Sequence, residues 1–318
     1  TVKKSPVLDK FRKLNVWNWV LAGLHAAQGI AIIILSDSDR GLFPVSTTFM
    51  TQDTLASAEG APVLVQAQCH LFDINLAYLC AVRQSDNQVP YNNIIALNEN
   101  ASILHYTELN AETLANSRSF LIDAGANFNG YASDITRTYS AENGLFADLI
   151  QNMHQITLQC AEELKPGVSY VQIHTSAYQQ IAALLCQSGI VNLATDDLLE
   201  TNIVSTFFPH GIGHFLGLQV HDMGGHVSDD RGTPCAAPAA HPFLRLTRNV
   251  EARQVFTIEP GLYFIESLLA DLKRTEHSKF INWNVVDSLR PFGGIRIEDN
   301  IIVHRDKNEN MTRELNLN

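Results

Sequence analysis

From about Phe72 onward the sequence predicts an α+β domain, built from both helices and strands. Segments 144–164 and 169–188 have the apolar spacing of helices, and several short apolar runs have the composition of strands. Apolar residues make up 46% of the 318-residue chain and charged residues 17%, which is typical of a globular protein rather than a disordered one. A chain of this length can bury the core of one large domain or two ordinary ones.

The predicted elements follow one another with recognisable boundaries. FDINLAYLCAVR predicts an amphipathic helix, and SFLIDAGANFNGY and TRTYS predict strands on either side of a turn. Pro166 and Gly167 separate the two long helices. A histidine-rich segment (209–226), a Pro/Ala-rich loop near 233–242 and two strand-like runs, VFTIEPGLYFI and GGIRIEDNIIV, complete the domain.

Charge and cysteine content exclude some classes of function. The formal net charge of −11 argues against a nucleic-acid partner, because phosphate binding needs a basic surface. The cysteines are five in number and none belongs to a CxxC pair: Cys69, Cys80, Cys160, Cys186 and Cys235. This pattern predicts free thiols in a reducing compartment, hence a cytoplasmic location, and gives no support for a thiolate zinc site.

The first 71 residues differ from the rest and are predicted to form an atypical N-terminal segment with one apolar helix. Residues 15–36 contain no formally charged side chain, follow several basic residues and are long enough to span a bilayer. However, Asn18, His25 and Gln28 interrupt the run, and no A-x-A cleavage site of a signal peptide follows it. Both a membrane span and a buried apolar helix remain open, so membrane association is the alternative location.

Polar side chains interrupt the apolar strand runs and their surroundings: Asp123, Asp134, His214, Glu259 and Glu298. A carboxylate in an apolar strand is costly unless it is paired or binds a metal. Any one of these carboxylates alone is more simply explained as a cap, turn or surface residue, but four together would repel one another. Their combination predicts two divalent ions sharing four carboxylates and one imidazole.

Such an oxygen-rich ligand set with one nitrogen suits Mn²⁺, with Co²⁺ or Zn²⁺ as alternatives. Two metal ions roughly 3.5–4 Å apart can hold a bridging hydroxide and polarise a carbonyl group. The sequence therefore predicts hydrolytic chemistry.

The ordered motifs DAGA-x7-D-x-T-R, HGIGHFLGLQVHD, TIEPGLYF and GGIRIEDN resemble the prolidase and aminopeptidase P group of metallopeptidases. The resemblance covers residues 72–318 and is strongest to bacterial proline dipeptidases, including PYNNIIALNENASILHYTEL and the ending ENMTRELNL. It implies a pita-bread (creatinase/aminopeptidase-like) fold, in which helices cover a curved antiparallel sheet. It also implies a homodimer that hydrolyses Xaa-Pro dipeptides.

The resemblance also implies roles for the metal ligands. Asp123 chelates one metal ion, and Asp134 and Glu298 bridge both ions. His214 and Glu259 complete the shell of the other ion. Glu259 is also expected to pass a proton to the leaving amine.

Further positions match residues of the family that act on the substrate. His210 and His221 contact the substrate or stabilise the tetrahedral intermediate, and His105 matches an upstream active-site histidine. Arg296 and Tyr263 match positions that either orient the substrate or support the residues that hold the metal ions. For His105 and His221 a purely structural role near strands is the alternative. Other polar residues are assigned supporting or structural roles: Thr136 and Arg137 orient carboxylates, whereas His154, His174 and His226 are structural or exposed.

Residues 1–79 depart from this family, because neither its N-terminal domain nor its long charged opening helix is recognisable there. They resemble the first helix, first loop and second-helix start of heliorhodopsins, without the seventh helix that would hold a retinal lysine. Three other functions stay open: aminopeptidase P-like cleavage of longer peptides, side hydrolysis of organophosphate esters, and an inactive peptide-binding fusion or truncated relative. Methionine aminopeptidases share the fold but fit HGIGHFLGLQVHD less well.

Overall fold

The structure is a computed structural model that describes residues 48–53, 63–68, 70–109 and 117–314. The predicted apolar helix within residues 15–36, and most of the heliorhodopsin-like segment, lie outside the described residues. In the described ranges no helix is both long enough and apolar enough to cross a bilayer.

Seven α-helices and twelve strands are assigned in the described part of the chain. The helices are α1 (Leu71–Val82), α2 (Leu145–Glu163), α3 (Tyr170–Gln187), α4 (Thr195–Leu199), α5 (Ile203–Phe207), α6 (Glu266–Lys273) and α7 (Trp283–Leu289). The first strands are β1 (Thr48–Asp53), β2 (Val63–Gln68), β3 (Ile94–Leu97), β4 (Ser119–Ala124), β5 (Asn127–Phe128), β6 (Tyr131–Ala132) and β7 (Ile135–Ser140). The remaining strands are β8 (Val255–Ile258), β9 (Gly261–Tyr263), β10 (Gly294–Arg296), β11 (Asp299–Val303) and β12 (Asn308–Asn310).

All strand pairs in the described ranges are antiparallel, as the family resemblance implies. One three-stranded sheet has the order β3–β4–β7, and another has the order β12–β11–β8. Strands β9 and β10 form a separate pair, as do β5 and β6, and β1 and β2. Together with the helices, these sheets confirm the predicted α+β class.

The two long helices begin and end within a residue or two of the predicted limits, and FDINLAYLCAVR is helical as predicted. The two C-terminal strand runs are each broken in the middle. One break falls at Glu259 and Pro260, between β8 and β9, and the other at Ile297 and Glu298, between β10 and β11. Proline has no N–H for a sheet ladder, and at both breaks a carboxylate leaves the regular strand.

Two apolar cores support the domain. The larger one packs α2 and α3 against the strands β8 to β11, and the smaller one packs α1 against β3 and β4. Hydrogen bonds join the two sides: the Glu298 N–H donates to the Thr136 carbonyl at 3.0 Å, and Thr138 Oγ1 donates to the Arg296 carbonyl at 3.0 Å. The edge of β7 is therefore held beside the break between β10 and β11, where the predicted ligands lie.

Candidate active site

The five predicted metal ligands come from five places in the fold. Asp123 lies on β4, opposite Thr136 of β7, and Asp134 lies just before β7. His214 precedes β8 in a loop, Glu259 follows β8, and Glu298 lies in the break between β10 and β11. Antiparallel pairing of β4 with β7 brings Asp123 near Asp134, and the hydrogen bond from the Glu298 N–H to β7 brings Glu298 beside them. All five predicted ligands line one cleft.

The side chains converge. Asp134, His214 and Glu298 each offer a ligand atom within 4.8 Å of the other two. His214 Nε2 lies 3.4 Å from Asp134 Oδ2 and 3.5 Å from Glu259 Oε1. The phenol oxygen of Tyr91 lies 2.6 Å from both Asp123 Oδ1 and Asp134 Oδ1, so it connects the remaining ligand to the group.

The backbone around His214 sets the tautomer of its ring. Its Nδ1 lies 2.8 Å from the Phe215 carbonyl, which can only accept, so Nδ1 carries the proton and donates it. The lone pair of Nε2 then points at the carboxylates, as in a metal-binding histidine. Gly213 permits this placement, because a Cβ there would lie 2.2 Å from the Thr257 carbonyl oxygen.

The carboxylates lack sufficient positive charge around them. Burial and the charges of the neighbouring carboxylates raise the pKa of Glu298 well above its ordinary range and also raise the pKa of Asp134. Burial raises the pKa of Glu259 to about 7, with His214 acting against it and Asp134 adding to it. The Oε1 atom of Glu298 is buried without a hydrogen-bond partner among the described residues. This donor set fits divalent cations, which would neutralise the carboxylates and use the unpaired oxygen.

A hydrogen-bonded row extends from Asp123 to His210. Arg296 donates from Nη2 to Asp123 Oδ2 at 2.6 Å and from Nη1 to the Tyr263 oxygen at 3.0 Å. Tyr263 lies 2.9 Å from His210 Nε2, and His210 Nδ1 lies 2.8 Å from the Gly211 carbonyl. Burial, aided by Arg296, lowers the pKa of His210 to about 3, so the ring is neutral and accepts from Tyr263.

This hydrogen-bonded row contains three residues that were predicted to contact the substrate, His210, Tyr263 and Arg296. Both ring nitrogens of His210 are used within the protein, and the guanidinium of Arg296 is buried and tied to its neighbours. His105 and His221, by contrast, are exposed side chains that line the cleft, and the His221 ring meets His214 edge-on at 4.4 Å. The predicted roles of these residues stay predictions.

The remaining polar residues make contacts of the expected kinds. Thr136 donates to Glu298 Oε2 at 2.7 Å, and Arg137 donates to the Glu298 carbonyl at 2.7 Å. His174 is buried and His154 lies against Arg313. His226 lies on the cleft wall and contacts the Leu244 carbonyl at 2.9 Å, a position that the sequence did not indicate.

Sequence reasoning did not single out two residues of the cleft, Tyr91 and Arg245. The cleft has a volume of about 860 Å³, within the range of small-ligand sites. Arg245 is an exposed cation on its wall, and within the described ranges no carboxylate pairs with it. Tyr91 lies in the quoted PYNN text, but only the fold brings it to the ligands.

The sequence matches known peptidases over most of its length. The model of metallopeptidase family M24 matches residues 64–305. The Xaa-Pro dipeptidase of Pseudoalteromonas atlantica is 72% identical over 251 residues, which are 78% of this chain and 57% of the relative. That of Shewanella sediminis is 58% identical over 246 residues, covering 77% of this chain and 56% of the relative. The chain thus spans little more than half the length of the curated relatives it matches.

Solved structures agree with the sequence matches. Zn-substituted Escherichia coli aminopeptidase P in complex with product is 30% identical, with a TM-score of 0.58, over 78% of this chain and 50% of that one. Proline aminopeptidase P II from Yersinia pestis is 28% identical, with the same TM-score and coverage. This likeness confirms the expected pita-bread fold for the aligned part of the chain.

Proposed function

Because the chain belongs to metallopeptidase family M24, we propose that it hydrolyses Xaa-Pro dipeptides with a water molecule activated by two divalent metal ions. The observation that carries the proposal is the cluster of Asp134, His214 and Glu298 in the cleft lining, with Glu259 beside His214 and with Asp123 linked to Asp134 through a shared phenol. The buried Oε1 of Glu298 has no hydrogen-bond partner in the described part of the chain. Manganese is the ion we propose, since oxygen-rich sites with one nitrogen suit it.

We assign the residues of the site to two roles, binding the metal ions and acting on the substrate. Asp123, Asp134, His214, Glu259 and Glu298 would hold the ions. When bound, the ions supply a water of lowered pKa and polarise the scissile carbonyl. Two candidate ligand carboxylates face His214, and Glu259 is the more accessible one: 18% of its side chain is exposed, against 8% for Asp134. It is therefore placed to take a proton from the attacking water and return it to the proline nitrogen.

Histidines on the cleft wall would act on the carbonyl oxygen. His221 and His105 are exposed to the cleft, where an imidazole N–H can donate to an oxyanion. Arg296 and Tyr263 are held in place by Asp123 and His210, so we assign them to orienting the site. His210 contributes chiefly by accepting from Tyr263.

The central test measures proline release. The full chain, stripped with EDTA and then supplied with Mn²⁺, is expected to release proline from Gly-Pro, and to lose this activity when EDTA is added again. A folded protein that binds Mn²⁺ but releases no proline from Gly-Pro would contradict the proposal.

Cleavage of longer peptides is the second candidate, because the solved structures quoted above are aminopeptidases P. The same assay with Gly-Pro and a longer Gly-Pro peptide distinguishes the two functions. A higher kcat/KM for the longer peptide would favour the aminopeptidase P-like activity.

Arg245 supplies a means of recognising a dipeptide. The carboxylate of a dipeptide lies on its second residue. A cation in the cleft lining that pairs with no carboxylate of the described ranges can bind it. A hydrogen bond to a charged group contributes about 1.5–3 kcal/mol. Replacing Arg245 with Met is therefore expected to raise KM for Gly-Pro about 10- to 150-fold and to change kcat much less.

The carboxylate contact can be isolated with a substrate that lacks it. Wild-type protein should prefer Gly-Pro over Gly-Pro amide, and the Arg245→Met variant should lose that preference. Arg231→Met, an exposed arginine that does not line the cleft, is the control. An unchanged preference in Arg245→Met would assign carboxylate recognition to another group.

The remaining proposals concern the protein's surroundings. We propose a cytoplasmic location, supported by the free state of the described cysteines Cys80, Cys160, Cys186 and Cys235. We also propose a homodimer, and a boundary near residue 71 between the N-terminal segment and the catalytic domain. These rest on the sequence and on the family resemblance.

A further inference from the structure

A buried ionic network lies behind the candidate metal ligands, on the side away from the cleft. Its centre is Asp299, whose side chain is fully buried. Arg137 Nη2 lies 2.9 Å from Asp299 Oδ1, and Arg313 Nε lies 2.7 Å from Asp299 Oδ2. Asn310 adds a third donor at 2.9 Å. One carboxylate is thus held from both sides, by a residue of β7 and by the segment that follows β12.

The network reaches Glu298 directly. Arg137 donates from Nη1 to the Glu298 carbonyl at 2.7 Å, and the Glu298 N–H donates to Thr136 at 3.0 Å. Asp299 thus faces the rear network while the neighbouring Glu298 lines the cleft, where Thr136 holds its Oε2.

The same segment also reaches Asp134. Asn300 accepts from the Asp134 N–H at 3.2 Å through Oδ1 and donates to the Asp134 carbonyl through Nδ2. The N–H of Asn300 donates in turn to Thr312 Oγ1 at 2.9 Å. We call Asn310, Thr312 and Arg313 the C-terminal brace, because these three residues hold β11 from behind.

Arg313 is the central member of the brace. Its Nε binds Asp299, and its Nη2 lies 2.8 Å from Nδ1 of His154 on α2. Burial, aided by Arg313, lowers the pKa of His154 to about 4, so the imidazole is neutral and can accept from the guanidinium. Arg313 therefore connects the long helix, β11 and the C-terminal segment through one rigid planar group.

We propose that Arg313 is a positioning residue for the metal centre, which sets the separation of Asp134 and Glu298 through Asp299 and the brace. The inference rests on the proposed function, in which these two carboxylates would help to hold the ions. Two neighbouring carboxylates repel each other before the ions bind, and productive geometry tolerates displacements of only about 0.5 Å. Groups that hold ligands from behind commonly change metal affinity by about 10- to 100-fold when they are removed.

The test measures Mn²⁺ binding by the full chain. In Arg313→Met we expect the affinity for the more weakly bound Mn²⁺ to fall about 10- to 100-fold in calorimetric titration. We also expect the electron paramagnetic resonance signal of an exchange-coupled Mn²⁺ pair to give way to that of isolated ions. At saturating Mn²⁺, kcat for Gly-Pro should fall while KM stays near the wild-type value, because Arg313 lies outside the cleft.

Conservative and remote variants separate positioning from a general loss of stability. Arg313→Lys keeps the charge beside Asp299 but not the second contact to His154, and should retain part of the Mn²⁺ affinity. Arg274→Met is the control, because this arginine is 77% exposed and pairs only with Asp271 within the described ranges. Thermal unfolding in EDTA reports the stability of every variant without metal.

The measurements on the Arg313 variants and on the wild-type chain distinguish a positioning role of Arg313 from a purely structural one. If Arg313→Met is less stable but binds both ions with wild-type affinity and a coupled signal, Arg313 is only structural and the proposal is wrong. If Arg313→Met does not fold, the same readouts on Arg313→Lys decide. A wild-type chain that binds a coupled Mn²⁺ pair without hydrolysing Gly-Pro contradicts the proposed function alone. A wild-type chain that binds no coupled pair contradicts both.

Discussion

Replacing Glu298 with Gln is expected to lower kcat/KM for Gly-Pro by at least about a thousandfold. A neutral amide would hold divalent cations more weakly than a carboxylate, and metal activation of water lowers the barrier by several kcal/mol. Glu298 is 1% exposed, and its Oε1 has no other partner in the described part of the chain. Proline release at saturating Mn²⁺ and calorimetric Mn²⁺ titration measure the two consequences.

The stability of this variant without metal should not fall along with its activity. Without metal, Glu298 lies among carboxylates that raise its pKa, so a neutral amide is not expected to lower the unfolding temperature in EDTA. Glu276→Gln, which changes an exposed carboxylate outside the cleft lining, is the matched control. Wild-type activity in Glu298→Gln would remove this residue from the metal centre.

Replacing Asp299 with Ala is expected to lower the free energy of unfolding by about 3–5 kcal/mol. The substitution leaves Arg137 and Arg313 without their shared carboxylate, and breaking a buried ion pair by removing one partner has a cost of this size. Urea unfolding in EDTA measures the effect without any contribution from bound metal.

The expected loss of unfolding free energy in Asp299→Ala is large because Asp299 is buried. An exposed ion pair provides the comparison that tests this reason. Asp271 makes an ion pair with Arg274, but its side chain is 66% exposed, so Asp271→Ala should change the unfolding free energy little. Asp299→Asn keeps one hydrogen-bond acceptor, so its loss of unfolding free energy should lie between those of Asp299→Ala and Asp271→Ala. Equal urea midpoints for Asp299→Ala and wild type would mean that the network does not stabilise the fold.

The elements and the candidate metal ligands could be predicted because their signals are local. Apolar spacing defined α2 and α3, and a costly carboxylate within an apolar run marked Glu259 and Glu298 as residues that need a partner. The sequence could not show that each of these runs is broken at its carboxylate. Breaks of this kind depend on which backbone groups find partners across the sheet, as the Glu298 N–H does with Thr136.

By itself, the sequence determined the α+β class, the order of the elements and the chemistry of a set of polar residues in apolar surroundings. Tertiary structure alone decided which side chains meet: Tyr91 with Asp123, Arg245 with the cleft, and Arg313 with Asp299 and His154. The physical reason is distance along the chain. Arg137 and Asp299 lie 162 residues apart, and no local pattern in either segment specifies its partner. Such pairs form only when the packing of strands and helices has already brought their backbones together.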